Sequence, residues 1–350
     1  MLLAIFCILA AVNVSALETV VFGAFTQTAT YSVANQLGLF TEAGLNVIFE
    51  AVPNSTYAYA QVLNGGYDIL TGTIDNAVNL RFNSNETLTV IGQLDQGPDL
   101  TLASAPNITT VEDLKGKPLI VDSPVSGYAY LLRKILESHG LLLENGDYYF
   151  QTVGSTNLRY PDLVAGTLPN GTEVYATILT YPFTAAAETL PAAQRLNILS
   201  YVADVVDPVV STAFTIREDA LANATMTPKL TRFVSAMYAA NLYLNNPANK
   251  NCSVNAIAKQ LNVTLETAEL DYTAAIQADT GEVSPGGNFT VNEEGLMNII
   301  NVRQEFGGFT VPADFNFTEA IAPGTGKLID YSIRDAAIAS CGKRLLDISC

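Results

Sequence analysis

Residues 19–49 read TVVFGAFTQTATYSVANQLGLFTEAGLNVIF. Thr19 to Phe22 is a β-branched and aromatic run that stops at Gly23, the pattern of a buried strand. From about Thr28 to Leu37 the apolar residues recur at helical spacing, and Gly38 closes the run. Asn46 to Phe49 is strand-like again. A strand, a helix and a second strand in so short a stretch form a βαβ unit, whose strands run parallel.

The alternation continues downstream. Tyr57–Leu63 reads as helix, Asp68–Leu70 as strand and Asp75–Leu80 as helix, followed by strands at Leu88–Ile91 and Leu100–Ala103. A second set opens after Pro106: a short helix at Val111–Leu114, a strand at Pro118–Val121 and an amphipathic helix at Gly127–Ser138. Strand Tyr148–Val153, helix Leu158–Ala165, strand Val174–Ile178 and helix Tyr181–Leu190 come next. Ile198–Tyr201 and Val209–Ile216 are extended, and helices dominate from Pro228, with Thr227 expected as N-cap. Two α/β units in tandem with a helical last third imply two lobes and one cleft. The expected division is residues 17–103 plus 212–350 for the first lobe and 104–211 for the second.

Composition narrows the function. The 350 residues carry 34 acidic and 17 basic side chains, a formal net charge of -17. A nucleic-acid binder needs a basic face, and an anionic membrane repels this chain. Met1 to Val12 is hydrophobic and too short to span a bilayer, and Val14-Ser15-Ala16 follows as a small-x-small cleavage pattern. We therefore expect a signal peptide at residues 1–16 and a secreted protein. Nine sequons, at Asn54, Asn85, Asn107, Asn170, Asn223, Asn251, Asn262, Asn288 and Asn316, point to a eukaryotic secreted glycoprotein, the alternative being a bacterial exported protein in which they carry no meaning. Cys7 leaves with the signal; Cys252, Cys341 and Cys350 are the candidates for one disulfide, with pairing open. With one histidine and no Cys-x-x-Cys, no metal is expected, and no cofactor.

Gly38–Val47 (GLFTEAGLNV) resembles the GxFxxxGLdV stretch of periplasmic substrate-binding proteins of the nitrate, sulfonate and taurine type. Val62–Ile69 (VLNGGYDI), Asp113–Lys117 (DLKGK) and Leu163–Thr167 (LVAGT) are similar to further turns of that family, with an insertion at 168–171. The resemblance covers roughly residues 19–220 and implies the type 2 periplasmic-binding-protein-like fold: α/β, each lobe a mostly parallel sheet flanked by helices, with extra C-terminal helices. It implies a small-molecule ligand between the lobes and a non-enzymatic, monomeric protein. The fungal synthase of the thiamin pyrimidine precursor belongs to the same superfamily, so a fungal source is expected and such an enzyme is the alternative. A ligand-free interaction protein is the third reading. The synthase's histidine chemistry and cysteine-rich motif have no visible counterpart here, and His139, the sole histidine, sits where a helix ends.

Ligand contacts in such a fold come from loops at strand C-termini and from helix N-termini. Four loops supply the candidates: Phe25, Thr28 and Tyr31 from the first; Thr73, Asp75 and Asn76 from the second; Ser123, Ser126, Gly127 and Tyr128 from the third; Tyr181 from the fourth. Thr28, Asp75 and Ser126 are equally ordinary N-caps, and the tyrosines at helical spacing equally ordinary core. With Asp75 in a loop and no Lys or Arg in the first lobe's loops, a neutral, aromatic or amine-bearing ligand is expected over an anion. An anion would have to rely on helix N-termini, hydroxyls or Arg159 of the second lobe.

Overall fold

The computed structural model describes residues 16–95, 99–283 and 288–341. The expected signal segment, apart from Ala16, and Cys350 lie outside them.

Two five-stranded sheets organise the chain. The first contains β1 (Glu18–Ala24), β2 (Leu45–Ala51), β3 (Ile69–Thr73), β4 (Leu88–Gln93) and β10 (Thr212–Arg217), in the order β2-β1-β3-β10-β4. The second contains β5 (Thr101–Ser104), β6 (Pro118–Val121), β7 (Tyr149–Thr152), β8 (Ala176–Leu179) and β9 (Asn197–Tyr201), in the order β7-β6-β8-β5-β9. β1 pairs in parallel with β2 and β3, and β6 with β7 and β8. β10 runs antiparallel to both its neighbours, as does β5. Each sheet is thus mostly parallel, with one reversed strand inserted where the chain enters or returns. This is the two-lobed architecture expected.

The crossing points differ from the sequence reading. Thr101–Ser104 pairs with β8 and β9, so the chain has left the first sheet before Thr101 rather than after residue 103. Nothing in Leu100–Ala103 tells which sheet a buried apolar strand will join.

Connecting the first sheet are helices α1 (Ala29–Gln36), α2 (Leu39–Glu42), α3 (Ser55–Leu63) and α4 (Ile74–Asn83). The second carries α5 (Gly127–Ser138), α6 (Thr156–Ala165) and α7 (Phe183–Glu188). Then come α8 (Met226–Leu244), α9 (Lys250–Leu261), α10 (Leu265–Ala275), α11 (Glu293–Glu305), α12 (Phe317–Ile321) and α13 (Ser332–Cys341). α8 begins two residues before Pro228: Asn223 Oδ1 accepts from the Thr225 and Met226 N–H groups, while Thr227 turns its hydroxyl back to the Ala220 carbonyl. Thr227 is therefore not the cap.

An aromatic core locks α1, β1, β2 and α8 together. Phe22 lies 5.5 Å from Tyr31, 5.9 Å from Phe49 and 5.1 Å from Phe233, ring centre to ring centre. Strand alternation sends Val20, Phe22 and Ala24 to full burial, and α8 covers them with Leu230, Phe233 and Met237. The C-terminal chain returns to the edge of β4, where Val90 donates to Leu328 and accepts from Asp330.

Candidate functional site

The carboxyl ends of β1, β3, β6, β7 and β8 face one gap between the sheets. The gap closes to a cavity of about 30 Å³ lined from both sides. Phe25, Thr26, Thr71, Gly72, Thr73, Asn76 and Thr212 come from the first sheet's elements; Asp122, Ser126, Tyr128, Thr156, Arg159 and Thr180 come from the second's. That volume has room for one or two waters.

The lobes are latched around it. The Ser55 N–H, at the start of α3, donates to both Asp122 carboxylate oxygens at 3.1 Å. Asp122 thus places a negative charge on a helix N-terminus across the gap, the favourable end of the dipole. Gly127 N–H donates to Asn76 Oδ1 at 3.2 Å, and Ser155 N–H to the Pro53 carbonyl at 2.8 Å. The Tyr128 and Ser211 hydroxyls meet at 2.8 Å. Glycine is required where backbones approach: a Cβ on Gly127 would lie 2.7 Å from Thr73 Cγ2. Gly154, at φ +128°, would bring a Cβ within 2.6 Å of the Pro53 carbonyl oxygen.

Of the residues singled out in the sequence, Phe25, Thr73, Asn76, Ser126 and Tyr128 line this cavity. Ser123 lines an adjoining groove of about 270 Å³ between α3, α4 and the 123–126 loop. Gly127 seals the lobe contact instead of lining the space. Thr28 is a helix cap, its hydroxyl accepting from Tyr31 N–H at 3.1 Å. Tyr31 belongs to the aromatic core, where burial pushes its phenol up to about 12. Tyr181 is also buried, its one hydroxyl proton shared between the Thr280 and Ala274 carbonyls at 2.8 and 3.1 Å, which ties the second lobe to the end of α10.

Asp75 is a clear departure. It lies inside the first turn of α4, 3% exposed, and both carboxylate oxygens bind Arg303 of α11. Burial opposes the Arg303 charge, but Asp75 more than offsets it and the guanidinium's pKa moves up. Arg303 also donates to the Val125 carbonyl at 2.9 Å and lies 4.4 Å over the Tyr130 ring, reaching the second lobe. The expectation of an amine-bearing ligand rested on Asp75, which does not line the cavity.

The sequence reading missed Thr71, Asp122, Thr156 and Thr212, and it named Arg159 only in passing. Asp122 follows β6 directly before the third loop, whereas Thr156 and Arg159 lie on α6 after β7, a fifth strand-end segment of the same kind as the four named. Arg159 is 2% exposed. Its Nε donates to the Gly154 carbonyl at 2.9 Å, Nη1 to the Thr177 hydroxyl and to the Ile178 carbonyl, and Nη2 to the Thr156 hydroxyl at 2.9 Å. Burial pulls its pKa down to about 10, against the through-space pull of Asp122. His139 is elsewhere, at the C-terminus of α5, 2.9 Å from Glu112. Among the described residues no cluster of three or more His, Cys, Asp or Glu could hold a metal.

A family model described as NMT1/THI5 like matches residues 25–249, well over half of the chain. The chain belongs to the NMT1/THI5-like family. No curated protein matches the sequence. Among solved structures it is similar to the periplasmic nitrate-binding protein NrtA from Synechocystis, at 13% identity and TM-score 0.66, over 92% of this chain and 89% of that one. The alkanesulfonate-binding protein SsuA from Xanthomonas axonopodis, bound to MOPS, gives 17% identity and TM-score 0.58 over 73% and 84%. The desulfurization enzyme DSZB gives 13% and 0.54 over 92% and 99%. Two binding proteins and an enzyme share this backbone, so this NMT1/THI5-like chain has its function decided by its cleft rather than its fold.

Proposed function

We propose that this protein is a secreted, fungal solute-binding protein that holds one small molecule between its lobes and is not an enzyme. The observation that carries the reading is the cavity itself: hydroxyls, an amide, one aspartate and one arginine converge from both lobes on one space. Contacts to both lobes stabilise closure when a solute replaces water there. The lobes comprise the residues of the two sheets with their helices, the C-terminal third packing chiefly on the first. The enzyme alternative would need general acid–base groups at the cavity, and the sole imidazole is paired with Glu112 on another face.

Secretion is supported by the sequons. Eight of the nine sequon asparagines are exposed and Asn54 is half-buried. At Asn54, Asn170, Asn223, Asn288 and Asn316 the side-chain oxygen accepts from a backbone N–H two or three residues on, which leaves the amide nitrogen, the glycan attachment point, outside those bonds. No helix among the described residues is long and apolar enough to cross a membrane. One disulfide would join Cys252, on α9, to one of the two later cysteines; Cys341 is buried with its sulfur 3.8 Å from the Ser235 carbonyl.

The test is a thermal-shift screen of small polar solutes against wild type and Thr26→Trp, which fills the cavity from its half-buried rim. A true ligand at 100 times its Kd adds about 2.7 kcal/mol to the wild type and nothing to the variant. Hits that stabilise both equally would defeat the proposal.

A further inference from the structure

We infer that a second binding site lies between α7 and α10, apart from the cleft, and that it takes a small organic ammonium ion of the alkylamine class. It is a groove of about 260 Å³. Asp99, Thr184 and Glu188 line it from one side, and Leu270, Ala274 and Gln277 of α10 and the turn after it from the other. It shares no lining residue with the cleft cavity. The charge facing it is of one sign. No lysine or arginine lines the groove, and neither Asp99 nor Glu188 forms an ion pair among the described residues. Asp99 is half-buried: burial pushes its carboxyl up, the nearby Thr184 hydroxyl opposes the rise, and Glu188 adds to it. Two carboxylates that repel each other in a partly desolvated groove favour a cation between them. Elsewhere the chain supplies its own, as Arg303 does for Asp75 and Lys229 for Asp68.

The uncharged groups make the same demand. Thr184 is 3% exposed, and its Oγ1 has no partner at hydrogen-bond geometry. Gln277 donates through Nε2 to the Thr273 carbonyl at 3.2 Å, which leaves its Oε1 outside that bond. An ammonium group carries N–H donors and no acceptor, so carboxylate, hydroxyl and amide oxygens are the partners it needs. Tyr201 is 47% exposed; burial raises its phenol first, and Asp99 and Glu188 next, which places its ring beside both carboxylates. An aromatic face at the rim attracts a cation, and Leu270 and Ala274 give its alkyl chain an apolar wall. A bare divalent metal fits less well. Calcium takes about six or more oxygens, and among the described residues no three His, Cys, Asp or Glu come together to hold a metal.

The experiment uses the full chain and three probes: n-butylamine, its uncharged isostere n-butanol, and calcium chloride. Calorimetric titration at constant ionic strength and pH 7 reads the affinities. The amine binds about tenfold or more tightly than the alcohol. Glu188→Gln changes an exposed side chain and weakens the amine about tenfold, and Asp99→Asn weakens it further. Tyr201→Leu loses part of the affinity. Thr26→Trp, which fills the cleft, leaves amine binding unchanged, as does Glu42→Gln, an exposed carboxylate on α2. Equal affinity for amine and alcohol overturns the inference, and so does the absence of amine binding. An equal loss in Glu42→Gln and Glu188→Gln also overturns it, since that is diffuse attraction to a chain of net charge -17. Calcium binding that Glu188→Gln abolishes, with no amine binding, would replace this site by a metal site. Amine binding that Thr26→Trp removes and Glu188→Gln spares would belong to the cleft, overturning this site and leaving the cleft's binding role standing.

Discussion

Removing the Asp75 carboxylate would strand a guanidinium. Arg303 is 1% exposed and holds Asp75 through Nε and Nη2. Asp75→Asn should cost about 3–5 kcal/mol in denaturant unfolding, because the charge left behind has no water to turn to. Replacing both partners by apolar residues should recover much of that loss. Glu282 acts through pH instead. Burial is the largest influence on it and raises its pKa from 4.5 to about 6, opposed by the Ala29 and Thr30 N–H bonds and aided by Asp95. Asp271, buried and raised in the same direction, faces it. The folded state therefore holds a proton on Glu282 that the unfolded state has already released. Stability falls as pH rises between about 4.5 and 6, by on the order of 2 kcal/mol from this group. Glu282→Gln should flatten that part of the stability–pH curve; an unchanged slope would show that Glu282 is not the source.

At the level of elements, periodicity carried most of the reading. Pro118–Val121 and Gly127–Ser138 form in the structure with the bounds their patterns predict. The Phe22 strand and its covering helix are legible for the same reason, and Phe22→Ala should cost about 3–5 kcal/mol by opening a cavity among the rings of Tyr31, Phe49 and Phe233. What periodicity could not say was which side of an element meets the gap. Tyr31 and Tyr128 both lie in the first turn of a helix that follows a strand. The first turns into the lobe core and the second lines the cavity, a difference set by the helix's rotation on its sheet. Asp75 misled because a carboxylate at a helix start looks the same whether it meets a ligand, caps the helix or pairs with an arginine 228 residues away.

Across the whole molecule, two reversed strands make the clamshell, and a few polar contacts hold it shut. Asp122 carries a negative charge across the gap to the α3 N-terminus. Asp122→Ala should leave the fold intact and shift the lobes apart, read as an increase in radius of gyration by small-angle scattering; an unchanged profile would mean that the remaining latches suffice. Lobe organisation was legible from the doubled βαβ pattern and the late return to helices. The closed cavity was not, because it arises only where distant strand ends are brought together, although Arg159 could be named. The central claim is that this space exists to hold a small solute. Native mass spectrometry of the protein purified from its own host tests it most directly. The account predicts a non-covalent adduct of small-molecule mass that Thr26→Trp eliminates; wild type that carries only polypeptide and glycan mass under the same gentle conditions would contradict it.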